Sequence, residues 1–198
     1  LKNGYVVKDI SNLEAWEYIS DKIHKFTKTK LKNKKIDFFN SFHKYTNINE
    51  LNETRLDIIN QINKDKKIRE CYFLISKEYL DNLIGNEIAM QIRLNLSIQL
   101  PNDNSSLLPI HADTWSGDSP FEVVSWLPLV DCYKSKSMFI LPPKYLKLLE
   151  KKFTKKNNLT SNDLYKSIET KLEWINIKYG QVLIFNQCLP HGNIINSE

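Results

Sequence analysis

Met90-Gln-Ile-Arg-Leu-Asn-Leu-Ser-Ile-Gln-Leu100 is the stretch on which the fold reading turns. Gln91, Arg93, Asn95, Ser97 and Gln99 alternate with Ile92, Leu94, Leu96, Ile98 and Leu100. A period of two predicts a strand with two unlike faces, because successive side chains on a strand point to opposite sides. The polar face is made of hydrogen-bonding groups, which meet bulk solvent or line a wet pocket. Downstream, strands are predicted over 121–130, 137–141, 172–178 and 181–185, with Gly180 as the turn before the last of them. Helical pieces are predicted near 144–155 and 162–169.

Upstream the period changes to three and four. Ser11-Asn-Leu-Glu14 has the form of a capping box, and Leu13, Trp16, Ile19, Ile23 and Phe26 follow on one helix face. Leu51, Arg55, Ile58 and Ile62 repeat the pattern, with Arg55 at the rim. A third helical stretch over 68–83 places Tyr72, Ile75, Tyr79 and Leu83 together, and Gly85 supplies the stop. The expectation is one α+β domain over 1–198. A helical layer over 1–86 precedes a mainly β core over 87–198, of sandwich or jelly-roll type.

Composition bounds the function. The chain has 198 residues, 41% hydrophobic and 26% charged, enough for one packed core. No apolar run reaches the ~18 residues of a membrane span, and no secretory leader opens the chain. Cys71, Cys132 and Cys188 are odd in number and far apart, which argues against a disulfide scaffold and suits a cytoplasmic setting. Cys132 and Cys188 read as small buried groups, with Cys188 close enough to His191 in sequence to be oxidation-sensitive. Net charge is +5, carried by 25 Lys and only 3 Arg. Lysine runs at 25–35, 64–67 and 151–156 read as solvated helix faces rather than a nucleic-acid site, which is ordinarily richer in Arg.

Four histidines occur. His24 and His43, among lysines and aromatics in the helical half, read as packing or surface residues. His111-Ala-Asp113 differs. Residues i and i+2 of extended chain point the same way, so an imidazole and a carboxylate project together. His191 lies 78 residues beyond Asp113, after another strand. Two His and one carboxylate form the facial triad of non-haem Fe(II) oxygenases, with open coordination positions for a bidentate cosubstrate and O2.

These stretches resemble a known family. Gln99-Leu-Pro-Asn-Asp103, His111-Ala-Asp-Thr-Trp-Ser-Gly-Asp-Ser-Pro-Phe121, Trp126-Leu-Pro-Leu-Val-Asp131, Ser137-Met-Phe-Ile-Leu-Pro-Pro143 and 180–193 carry the resemblance. It is to the phytanoyl-CoA dioxygenase-like branch of the Fe(II)- and 2-oxoglutarate-dependent oxygenases. Within that branch the chain is similar to the bacterial oxygenases of sporadic carbohydrate-biosynthesis clusters. The resemblance implies a double-stranded β-helix core, metal ligands His111, Asp113 and His191, Fe(II) and 2-oxoglutarate as cofactors, and hydroxylation of an unactivated C–H. A sugar or sugar nucleotide is the substrate class it suggests. Retention of Asp113 favours hydroxylation over halogenation, since halogenating relatives replace that carboxylate.

Relatives carry an Arg about ten residues after the distal His, clamping the far carboxylate of 2-oxoglutarate. This sequence stops at Glu198, so a truncated or disordered terminus without the last strand is expected. An internal anchor would be Arg93, whose guanidinium fork pairs with a carboxylate through two parallel bonds. The alternative is a structural ion pair with Glu122 or Asp113. Asn193 is a further candidate for the 2-oxoglutarate carboxylate, and Gln91, Asn95 and Gln99 for cosubstrate or substrate. Trp115 and Asp118, in the loop after the first two ligands, are candidates for substrate contact, with an ordinary turn and a packed Trp as the alternative. Trp126 reads as core. Two other function classes stay open: a non-catalytic sugar-binding jelly-roll module, and a cupin-like metalloenzyme, such as an isomerase, that does not use 2-oxoglutarate.

Overall fold

The structure is a computed structural model that describes residues 2–32, 39–155 and 159–198. The lysine runs at 25–35 and 151–156 extend into residues outside the described ones. In chain order the elements are β1 (Tyr5–Asp9), α1 (Leu13–Lys30), α2 (Ile48–Lys64), α3 (Lys66–Leu74), α4 (Lys77–Ile84), β2 (Val123–Trp126), β3 (Phe139–Ile140), α5 (Leu146–Lys155), α6 (Ser161–Ile168), β4 (Glu173–Trp174), β5 (Gln181–Asn186) and β6 (His191–Gly192). They group into two compact units, Asp9–Leu100 and Leu1–Lys8 with Pro101–Glu198.

The Asp9–Leu100 unit holds α1 to α4. Ala15, Trp16, Ile19 and Ile23 of α1 are buried, as are Leu51, Ile58, Ile59 and Ile62 of α2 and Ile68 and Cys71 of α3. That is the apolar stripe a 3.6-residue period produces. Leu13, placed on this stripe by its spacing, is 67% exposed. The N-cap of α1 is Asn12, whose side chain accepts from the Ala15 amide at 2.9 Å, and not Ser11. The Ser11 amide and hydroxyl both donate to the Ile75 carbonyl, each at 3.1 Å. This also explains why the third helical stretch is two helices. With its carbonyl turned to Ser11, Ile75 ends α3, and α4 restarts after Ser76. The buried face is then Ile68, Cys71, Ile75 and Leu80, with Leu83 exposed, rather than the Tyr72–Tyr79–Leu83 face. Asn12→Ala is expected to lower stability by about 1 kcal/mol, read as a shifted urea midpoint at unchanged slope.

The strand predicted over 90–100 is corrected. Leu94 and Leu100 are buried and Gln91, Arg93, Asn95 and Ser97 are exposed, but Ile92 of the apolar set is 82% exposed, so the two faces hold only in part. No strand pairs with the segment among the described residues. Side chains meet its backbone instead. The Asn63 amide accepts from the Leu94 N–H at 2.8 Å and donates to the Leu94 carbonyl at 2.9 Å. The Arg69 guanidinium donates to the Gln91 and Met90 carbonyls, each at 3.0 Å. Two helices, α2 through Asn63 and α3 through Arg69, have thus taken the place of a neighbouring strand.

The other unit carries two three-stranded sheets, β1-β5-β2 and β4-β3-β6. The pairs β2/β5, β3/β4 and β3/β6 are antiparallel. In β5, Val182, Leu183, Ile184 and Phe185 are all buried, the continuous apolar run of a strand covered on both faces. In β3 the side chains alternate between two cores. Ile140 joins Leu183, Phe185 and Leu189, whereas Phe139 joins Leu149 of α5 and Leu164 and Ile168 of α6. The sheet β4-β3-β6 therefore has one face toward the β5 sheet and the other under α5 and α6. The described residues are mixed helix and strand, 47% helical, with small sheets, so a mainly β core is not what forms among them. No closed barrel is present among the described residues.

Candidate metal centre

The centre is assembled by one short strand. β6 pairs with the fully buried β3 in the register Ile140↔His191 and Phe139↔Gly192. Directly opposed residues share a face, so His191 points with Ile140 toward the β5 side. The ring of Phe185 meets it edge-on, centroids 4.9 Å apart. On its other edge His191 pairs with His111: His111 N–H donates to the His191 carbonyl at 2.9 Å, and His191 N–H donates back at 2.7 Å. This mutual exchange places both imidazoles on one face, ring centroids 4.4 Å apart.

Proline ends this pairing and helps orient a ring. Pro109 has no N–H to give a ladder. The Asn193 amide donates to the Leu108 carbonyl instead, at 3.0 Å. The Pro109 carbonyl accepts from His111 Nδ1 at 2.8 Å, and the Leu189 carbonyl accepts from His191 Nδ1 at 2.8 Å. A carbonyl can only accept, so both Nδ1 atoms carry hydrogen. In the neutral rings Nε2 then holds the lone pair.

Asp113 follows the fully buried, extended Ala112 and opens a 3-10 turn ending at the left-handed Gly117. Its amide donates to the Gln187 carbonyl at 3.2 Å. Its carboxylate lies 3.6 Å from His111 Nε2 and 3.9 Å from His191 Nε2. The three ligand atoms lie within 4.8 Å of one another. Ligand bonds of about 2.0–2.2 Å set at right angles put neighbouring donors about 3 Å apart, so a small inward rotation of the side chains closes the set on one ion. Burial holds the His191 imidazolium below the usual histidine range, the nearby His111 charge acts the same way, and the Leu189 carbonyl and Asp113 oppose them. A neutral imidazole is the ligating form.

The structure brings together His111, Asp113 and His191, all three named from the sequence. Asn193 lies two residues past His191, but its Oδ1 accepts from the Leu108 amide at 2.7 Å. That leaves its amide nitrogen as the group it can offer a ligand. Trp115 sits on the Asp113 turn, 46% exposed and edge-on to Phe153 of α5 at 5.3 Å. Asp118 is exposed in the same loop. Arg93, Gln91 and Asn95 are exposed and Gln99 half-buried in the Asp9–Leu100 unit. Among the described residues the ion-pair partners of Asp113 are the two histidines. His24 stacks on Phe39 and His43 is exposed, as read from the sequence. All three cysteines are free thiols, Cys188 only half-buried. Sequence reasoning passed over Gln187, which is buried and bonded to the Asp113 turn. It is the second of two polar residues after the apolar run of β5, and nothing in the sequence separates it from the exposed Asn186.

Scanned against protein-family models and searched against curated proteins, the chain finds no match. No helix among the described residues is long and apolar enough to cross a membrane.

Proposed function

We propose that the chain is an Fe(II)- and 2-oxoglutarate-dependent dioxygenase that hydroxylates a C–H of a small polar metabolite, of sugar or sugar-nucleotide class. The observation that carries this reading is the convergence of two oriented Nε2 atoms and one carboxylate. The donor chemistry fits Fe(II): two neutral imidazoles and one carboxylate hold a divalent ion on one side and leave positions open. The two packed sheets flanking His191 are the part of the fold that a double-stranded β-helix would extend. Free thiols and a ferrous site both suit a reducing cytoplasm.

Fe(II) with 2-oxoglutarate supplies the oxidising power, O2 being consumed and succinate and CO2 released as the C–H is hydroxylated. The protein's own residues orient and exclude. His111 and His191 present fixed lone pairs, the Pro109 and Leu189 carbonyls keep the rings from turning, and Asp113 offsets the metal charge. Phe185 keeps water from the His191 side. Trp115 and Asp118, on the loop leaving Asp113, are the residues proposed to contact the substrate.

Anaerobic addition of Fe(II) and then 2-oxoglutarate tests the reading. A visible metal-to-ligand charge-transfer band is expected with wild type and is expected to be lost in Asp113→Ala. Fe(II) bound with no band on adding 2-oxoglutarate would overturn it. Metal retained without succinate formation would then point to a binding module, and turnover indifferent to 2-oxoglutarate and O2 to an isomerase-like metalloenzyme.

A further inference from the structure

The geometry points to Gln187 as the positioning residue of the metal centre, a role that rests on the metal-binding part of the reading above. Gln187 is 4% exposed, an unusual place for an amide unless its polar groups are engaged. Its main-chain carbonyl accepts the Asp113 N–H at 3.2 Å. Its side-chain Nε2 donates to the Ser119 carbonyl. One residue therefore grips the ligand-bearing loop at both ends, at Asp113 and again six residues on.

Placement makes this more than loop packing. Gln187 follows β5 directly and stands four residues before His191 on the same run of chain. Its neighbour Cys188 reinforces the contact, its thiol lying 3.7 Å from the Pro120 carbonyl and its amide donating to Asn186 Oδ1 at 2.8 Å. On the far side of His191, Asn193 holds Leu108 by both its amide and its side-chain oxygen. The segment 187–193 thus bears one ligand and braces the stretches bearing the other two. Asp113 is not on a strand, as His191 is: it sits on a short 3-10 turn, entered by the bond from Trp115 N–H to Ala112 O at 2.9 Å and left by that from Gly117 N–H to Thr114 O at 3.3 Å. The Gln187 side chain ties the outgoing end of that turn to the end of β5, four residues before β2 pairs with β5 at Val123↔Asn186. Outer groups that orient a ligand commonly change metal affinity 10–100-fold when removed.

Gln187→Met keeps the length and loses the donor. In the full chain, Co(II) titration followed by visible absorption is expected to give an affinity about 10-fold or more weaker than wild type, with altered d–d band intensity, and hydrogen exchange over 113–120 is expected to speed up. A purely structural role would shift the urea midpoint and leave the Co(II) spectrum and affinity of the folded protein as in wild type; that result overturns the assignment while the metal centre stands. Wild type failing to bind Co(II) overturns both. Should Gln187→Met fail to fold, Gln187→Asn, an amide one methylene too short for Ser119, carries the same test with the same two outcomes.

Discussion

His191→Ala is expected to weaken Co(II) binding by more than about 100-fold, because groups that merely orient ligands already account for 10–100-fold and His191 is itself a donor. The same substitution is expected to lower the stability of the metal-free protein by on the order of 1–3 kcal/mol. Its side chain is only 10% exposed, packs against Phe185 and is backed by Ile140, so alanine leaves a void. His111→Ala is expected to match it in metal affinity and cost less stability, since a third of the His111 side chain is in solvent. A pH series adds an independent readout. Burial lowers the His191 pKa from 6.5 in the folded state, so the unfolded chain binds the proton more readily. The stability tied to neutral His191 is full above about pH 6.5 and is lost as pH falls through the lower folded value. His191→Ala should flatten that part of the profile. Urea titrations from pH 5 to 8 and Co(II) titrations at neutral pH measure both effects. Wild-type Co(II) affinity in His191→Ala would remove His191 from the centre.

The parts of the molecule that the sequence made legible are those governed by burial alone. The run Val182–Phe185 is apolar without a break and is buried without a break. His111, Asp113 and His191 are named from the sequence by residue type and spacing, and the structure brings their ligand atoms within 4.8 Å of one another. What stayed hidden is where side chains substitute for backbone. The 90–100 segment has a strand's alternation, yet Asn63 and Arg69 supply the hydrogen bonds a second strand would have supplied. Alternation reports which face is wet, and it is silent on what satisfies the backbone. Ser11 misled in the same way. Its capping-box spacing with Glu14 is real, but its hydroxyl is spent on Ile75, and that one contact both moves the α1 cap to Asn12 and divides the third helical stretch. The sequence marks Asn193 as a contact for the 2-oxoglutarate carboxylate but does not show that its oxygen holds the Leu108 amide, which leaves the side-chain nitrogen as the donor for such a contact.

Gly192→Ala is expected to lower stability by about 2–3 kcal/mol and to weaken Co(II) binding at least about 10-fold, although none of the three candidate ligand side chains is changed. A Cβ at this position would lie 2.7 Å from the Leu108 carbonyl oxygen, 3.0 Å from Phe139 Cζ and 3.1 Å from the Ile110 nitrogen. None of these is the loose end of a flexible side chain. Leu108 O is held by the Asn193 amide, and Phe139 is fully buried against Tyr165 and Trp174. The strain must therefore be taken up by separating 108–111 from 191–193, the two stretches whose contact aligns His111 with His191. Gly180→Ala is the control. Nothing lies within 4 Å of its would-be Cβ, but its φ of +85° disfavours an L side chain, so it should cost on the order of 1 kcal/mol and leave Co(II) affinity unchanged. Urea unfolding and Co(II) titration on the two variants separate steric displacement from backbone strain. If Gly192→Ala behaves like Gly180→Ala in both measurements, the close approach of the two histidine-bearing stretches is not what holds the centre together.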